Sequence, residues 1–169
     1  MKVACIGNMN NMMFTLCKYL KDENVDVTLF LFDDEPFLPS HDSNNDKIIP
    51  VKSLNTGFST LIEVKRKGEL FKELSKYDFF IGTDIAPALM AKLGMQLDIY
   101  VPHGSDIYSF PFVNLKDGNA NNVWWLKEKF FVGKLQSIGV ENARNIILPF
   151  EYDIHIPFKN KLKCNGEFI

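Results

Sequence analysis

Cysteine is scarce in this chain. Cys5, Cys17 and Cys164 are odd in number and form no C-x-x-C pair, which argues against a structural zinc site and against a disulfide framework. A reducing compartment is the resulting expectation. Long apolar runs are also missing: the N-terminal Met1-Lys2-Val3-Ala4-Cys5-Ile6 stops at Gly7-Asn8, too brief for a signal-peptide core or a membrane span. A cytoplasmic chain is therefore expected. Neither sign of charge dominates, with 19 Lys plus Arg against 21 Asp plus Glu and a formal net charge of −2. That balance excludes a protein held mainly by nucleic-acid phosphates. Glycine is thin where a phosphate loop would need it. Gly7-Asn8-Met9-Asn10-Asn11-Met12 has one glycine, so it satisfies neither G-x-G-x-x-G nor the P-loop with its Gly-Lys-Ser/Thr ending. A dinucleotide-dependent dehydrogenase and a P-loop NTPase both lose their main support.

What remains is ordinary for a packed domain. The 169 residues suit one core, and 46% apolar with 24% charged residues excludes disorder, collagen and coiled coil as whole-chain answers. Aromatic content of 13%, with 15 Phe, points to a thick apolar core or to an amphipathic surface that meets something. Lys2 to Ile6 reads as a strand and Met12 to Leu20 as a helix; Val25 to Phe32, rich in Val, Leu and Phe, reads as a strand covered on both faces. A polar stretch from Asp33 to about Asn45 reads as a long loop. Beyond it the pattern predicts a helix over Leu61 to Ser75, a strand over Asp78 to Ile81, a helix over Asp84 to Leu93 stopped by Gly94, and a strand over Leu97 to Val101. An amphipathic helix from Asn122 to Ile138, ended by Gly139, and a strand from Asn145 to Leu148 complete the series. Alternating strands and helices of this kind make a Rossmann-like three-layer α/β/α unit with a mostly parallel sheet.

Ligands of such sheets lie outside the carboxyl ends of the strands, which directs attention to Gly7-Asn8, Asp33-Asp34-Glu35, Gly82-Thr83-Asp84, His103-Gly104-Ser105-Asp106 and Pro149-Phe150. Gly7 permits close backbone approach to a sugar or phosphate, or equally a tight turn with Asn8 capping the helix. Asp33, Asp34 and Glu35 suit Mg²⁺ or a ribose, or form a solvated acidic loop. The most informative stretch is Tyr100-Val101-Pro102-His103-Gly104-Ser105-Asp106. A strand there delivers an imidazole to the ligand edge, a glycine turns the chain, and Ser105 or Asp106 can cap a helical turn that favours anions. His103 then serves a sugar hydroxyl or a developing charge, or is a structural histidine with Asp106 as an ordinary cap.

Three segments together resemble a known family. Lys2-Val3-Ala4-Cys5-Ile6-Gly7-Asn8-Met9-Asn10-Asn11, Tyr77-Asp78-Phe79-Phe80-Ile81-Gly82, and the His103-Gly104-Ser105-Asp106 segment look like the N-terminal domain of GT-B glycosyltransferases of the family 4 type. Ile147 to Phe158 is similar to the segment by which that family crosses to its second domain. It carries Phe150-Glu151-Tyr152-Asp153 where the family usually has Asn-Gly-Val-Asp. The resemblance implies an acceptor-side domain over 1–150, with 151–169 as crossover and the start of a donor-binding domain. It implies retaining hexosyl transfer from a nucleotide-sugar, a co-substrate rather than a cofactor, to a saccharide or lipid-linked acceptor in polysaccharide or glycolipid assembly. Gly7 and Asn8 would line the cleft near the diphosphate and His103 would touch the donor sugar. Gly104 and Ser105 belong to the same loop, and Asp106 would hold it or meet substrate. No metal is implied, and no Asp-x-Asp occurs.

The family's donor domain carries two glutamates spaced E-x7-E, and no two of this chain's glutamates are eight apart. The expectation is thus a fragment, inactive alone. Lys65-Arg66-Lys67, and Trp124, Trp125, Lys127 and Lys129, offer peripheral contact with the inner face of an anionic membrane, or are solvated edges beside a core-facing stripe. The competing functions are half of a sugar-nucleotide epimerase and a non-catalytic flavodoxin-like binding module.

Overall fold

A computed structural model of the chain describes residues 1–33, 35, 49–103, 123–147 and 167–168. Its strands are β1 (Lys2–Ile6), β2 (Asp26–Leu31), β3 (Val51–Ser53), β4 (Phe79–Gly82), β5 (Ile99–Tyr100), β6 (Asn145–Ile146) and β7 (Glu167–Phe168). The helices are α1 (Met12–Asp22), α2 (Glu69–Leu74), α3 (Ala86–Leu93) and α4 (Val123–Asn142), with short 3-10 turns at Met9–Asn11 and Leu61–Glu63. All described strand pairs are parallel, and the sheet order is β3-β2-β1-β4-β5-β6-β7. The Rossmann-like α/β architecture expected from the sequence is the one observed.

Burial on both faces explains the near-continuous apolar strands. Val3 and Cys5 of β1 join Val27, Leu29 and Ile81 in a cluster with Met13 and Cys17 of α1. Ala4 and Ile6, pointing the other way, join Phe30, Phe80 and Tyr100 in a cluster with Leu89 of α3 and Val132 of α4. Successive strand residues alternate faces, so each strand feeds two apolar layers. Helix α1 places Met13, Leu16, Cys17 and Leu20 at i, i+3, i+4 and i+7 toward the sheet. It ends where Asn24 adopts φ 60°, the left-handed exit that Asn tolerates best after Gly. Gly94, at φ 72°, stops α3 in the same way, as its position in the sequence predicts.

Two expectations need correction, and one strand carries no sequence signal. The helix expected over Leu61 to Ser75 is broken: a 3-10 turn covers Leu61–Glu63 and α2 begins only after Gly68, its N-cap, in extended conformation. A glycine inside a helix costs about 1 kcal/mol relative to alanine, and here the chain turns instead of paying it. Gly139 does not end its helix, because α4 runs on to Asn142. A β-carbon on Gly139 would lie 1.9 Å from the Pro87 carbonyl oxygen, so this glycine lets α3 and α4 touch backbone to backbone. Strand β3 falls in a stretch without a strand pattern, since all three of its residues are exposed on the sheet's edge. The boundary expected at residue 150 lies outside the described residues; Glu167–Phe168 pairs alongside β6 in the same sheet.

Candidate functional site

The sheet order reverses between β1 and β4, where Ile6 and Gly82 are register partners. Chains leaving two such strands diverge to opposite faces and open a crevice at their carboxyl ends. The residues just past them, Gly7 and Thr83, therefore stand at its floor. Gly7 donates its N–H to the Phe30 carbonyl at 2.8 Å, and Thr83 donates to the Ile6 carbonyl at 3.0 Å. Gly7 has φ 83°, and a β-carbon there would sit 2.9 Å from Thr83 Cγ2 and 3.4 Å from Glu35 Oε1. Both the backbone conformation and the contact require glycine.

Asn8 supplies the capping hydrogen bond that one reading of the sequence anticipates, from three residues ahead of Asn11, the N-cap residue of α1. Its Oδ1 accepts from the Phe14 N–H at 2.9 Å and its Nδ2 donates to Asn11 Oδ1 at 3.1 Å. Asn10 and Asn11, at φ 54° and 62°, carry the chain through a left-handed turn into α1. The Asn8 N–H donates to Glu35 Oε1 at 2.6 Å, and the Phe32 N–H donates to Glu35 Oε2 at 3.0 Å. The carboxylate of Glu35 is thus folded back onto the first loop. Asp33 is exposed and accepts from Ser53 Oγ at 2.9 Å; Asp34 lies outside the described residues.

Thr83 is completely buried, and its Oγ1 has no hydrogen-bond partner among the described residues. Leaving a buried hydroxyl unmade costs about 1–3 kcal/mol. Beside it Asp84 adopts φ 52°, a conformation that costs energy outside glycine and collects at functional sites. A residue the sequence reading did not single out holds this corner in place. Gln136 of α4 is fully buried, accepts from the Ala88 N–H at 3.0 Å, and donates Nε2 to the Asp84 carbonyl at 2.8 Å and to the Tyr100 hydroxyl at 3.2 Å. One amide thereby ties the loop after β4, the first turn of α3 and the end of β5 together. Its signal was present in the spacing: Val132, Gln136 and Val140 fall at i, i+4 and i+8 on the buried face.

Tyr100 ends β5, the neighbour of β4, and Val101 donates its N–H to the Gly82 carbonyl at 2.8 Å. The chain then delivers a half-buried His103 to the same edge as Gly7 and Thr83. Gly104, Ser105 and Asp106 lie outside the described residues.

Other candidates sit elsewhere. Cys5 and Cys17 are both free and buried, and a hydrogen bond that the Cys5 thiol donates to Cys17, with burial, holds the Cys5 thiol far above the ordinary thiol range. A thiol held protonated is a poor nucleophile. Among the described residues no group of three or more His, Cys, Asp or Glu is placed to hold a metal, and no helix is long and apolar enough to cross a membrane. Lys65, Arg66 and Lys67 are exposed, while the side chains at 124–129 lie outside the description. Two grooves lie away from the crevice. One of about 490 Å³ runs beside β3 and is lined by Phe30, Lys52, Thr56, Leu70 and Glu73; the other, about 470 Å³, lies between Ile62, Lys92, Phe131 and Leu135.

No protein-family model, curated protein or solved structure matches the chain. Fold and edge geometry together define a Rossmann-like α/β domain whose topological switch point holds left-handed Gly7 and Asp84 and a Thr83 hydroxyl without a partner among the described residues.

Proposed function

We propose that this chain is the acceptor-side domain of a retaining GT-B glycosyltransferase, moving a hexosyl group from a nucleotide-sugar to a saccharide or lipid-linked acceptor. The observation that carries the reading is the crevice itself. Left-handed Gly7 meets the methyl group of Thr83 across the strand-order reversal, the Thr83 hydroxyl is buried without a partner among the described residues, and the next strand sends His103 to the same edge. An edge of that kind takes small polar ligands. The resemblance of the Gly7 and His103 segments to the family supplies the chemistry.

In this reading the loop after β1 and the loop after β4 form one wall of a cleft whose other wall is the donor-binding domain. His103 donates a hydrogen bond to the donor sugar near the reacting carbon, where a fixed dipole gains most as charge develops. Gln136 keeps the stems of the Thr83 and His103 loops in register, so the wall is preformed before ligand arrives.

The test uses protein expressed from the whole reading frame. Hexose transfer is measured with UDP-, GDP- and ADP-hexoses against saccharide and lipid-linked acceptors. His103→Ala should lower kcat by about 100-fold or more with the melting temperature unchanged, the size expected for loss of a transition-state donor. Unchanged turnover removes His103 from the mechanism. No transfer from any donor, with tight binding of a small ligand, favours the non-catalytic binding module.

A further inference from the structure

A first βα loop is ordinarily a seat for anions, because its N–H groups and the start of the helix present partial positive charge. In this chain much of that seat is already taken. The N–H of Asn8 points at Glu35 Oε1, that of Phe14 at Asn8 Oδ1, that of Gly7 at the Phe30 carbonyl and that of Asn11 at the Asn8 carbonyl. The occupant at Asn8 is a carboxylate 27 residues away in sequence, anchored at its second oxygen by the Phe32 N–H. A phosphate entering here would lose the N–H donors and meet a negative charge in a partly buried, weakly screened place. An uncharged hydroxyl meets the opposite situation. Carboxylate oxygens accept from hydroxyl groups, and Thr83 adds a fully buried hydroxyl without a partner among the described residues. The Thr83 side chain reaches the crevice floor, with Cγ2 2.9 Å from where a β-carbon on Gly7 would stand.

We propose that Glu35 sets the charge selectivity of the switch-point crevice, excluding phosphate and admitting the hydroxyl groups of a neutral sugar between its carboxylate and Thr83. This rests on the crevice being the ligand site of the reading above. It assigns the sugar rather than the diphosphate to Gly7 and Asn8, and leaves the diphosphate to be held elsewhere.

The experiment follows the backbone amides of Gly7, Asn8 and Thr83 by NMR at fixed ionic strength, with inorganic phosphate as one probe. Glucose, galactose, mannose and N-acetylglucosamine, each in turn, are the others. In the wild-type chain phosphate should shift these amides no more than chloride does, whereas at least one neutral sugar should shift them saturably. Glu35→Ala should bind phosphate at least tenfold more tightly than wild type. Glu35→Gln, which keeps an acceptor oxygen but loses the charge, should fall between the two. Saturable phosphate binding at Asn8 in the wild type as tight as in Glu35→Ala overturns the proposal. So does a Glu35→Ala chain that gains nothing, or a crevice that none of the sugars perturbs. If both variants lose their dispersed spectra, the wild-type phosphate and sugar arms decide alone by the same criteria. These arms read binding alone, so charge selectivity found here together with a failure of the whole reading frame to transfer any hexose would sink the glycosyltransferase reading and leave this proposal standing.

Discussion

The two ends of the same parallel sheet treat their polar groups differently. At the amino end of β5, buried Asp98 accepts from the Phe80 N–H at 2.8 Å and from Arg144 Nη1 at 2.8 Å, while its carbonyl takes both the N–H and the Nδ2 of Asn145. Lys2 donates its N–H to Asp78 Oδ2 at 2.8 Å on the same side. At the carboxyl end the backbone turns left-handed at Gly7, Asn55 and Asp84, each just beyond a strand, and Thr83 buries a hydroxyl without a partner among the described residues. Strand register is shared by both ends, so it cannot explain the contrast. Left-handed residues occur at both ends, Asn24 and Gly94 standing ahead of β2 and β5, so the difference lies in the hydrogen bonds: one end closes them and stabilises the sheet, and the other leaves one unmet among the described residues where a ligand can relieve it.

The largest effect should come from breaking the closed end. Asp98→Ala strands the Phe80 N–H in a buried position and removes a charge-assisted partner from Arg144. Urea denaturation should show a loss of about 2–3 kcal/mol, the cost of an unsatisfied buried donor plus a partly buried ionic hydrogen bond. Asp98→Asn keeps an acceptor for Phe80 and should lose less than half of that. In the folded protein the amides of Gly7 and Thr83 should keep their wild-type shifts. A loss near zero would mean the amino end is not where the sheet is secured.

The opposite sign is expected at the open end. Thr83→Val preserves branching and nearly the same volume while deleting the hydroxyl that has no partner among the described residues. Removing an unsatisfied buried polar group should stabilise the fold by about 1 kcal/mol, and the same change should weaken any ligand that used the hydroxyl. A variant less stable than wild type would show that Oγ1 has a partner in solution, which would dissolve the contrast between the two ends.

Much of the frame was legible because burial on two faces forces long apolar runs. Lys2–Ile6 and the start of α1 at Met12 fall where the sequence places them, and Gly94 stops α3 as read. Legibility failed where no buried face exists, as at exposed β3, and where a glycine had two meanings. Gly94 at φ 72° ends a helix, whereas Gly139 sits inside one because Pro87 leaves no room for a β-carbon. The candidate site divides in the same way. Gly7 and Asn8 are readable as turn and cap from their immediate neighbours. Glu35 on the Asn8 N–H, Gln136 on the Asp84 carbonyl and the orphaned Thr83 hydroxyl arise from contacts across the fold, to which local spacing is blind.

The smallest effect isolates burial from charge. On the flank of the sheet, Glu73 of α2 accepts from Lys52 Nζ at 2.5 Å and also from Lys76. These two hydrogen bonds, that from Lys52 first, hold the Glu73 carboxyl down at about 2, against 4.5 for an ordinary glutamate. A carboxyl whose pKa is lower in the folded than in the unfolded chain adds stability that is fully present above the unfolded value and is lost as pH falls toward the folded one. The window is therefore about pH 5 down to 2. The Asp98 carboxyl is 8% exposed and bridges β4, β5 and the start of β6, but Glu73 is 29% exposed and its partner Lys52 45%. Water screens such pairs, so the contribution should stay below about 1 kcal/mol. Glu73→Gln should lower stability at pH 7 by that amount, flatten the acid limb of the stability curve to match and leave stability near pH 2 almost unchanged. An effect as large as that of Asp98→Ala would show that ionic contact alone, and not its burial between strands, secures the closed end of the sheet.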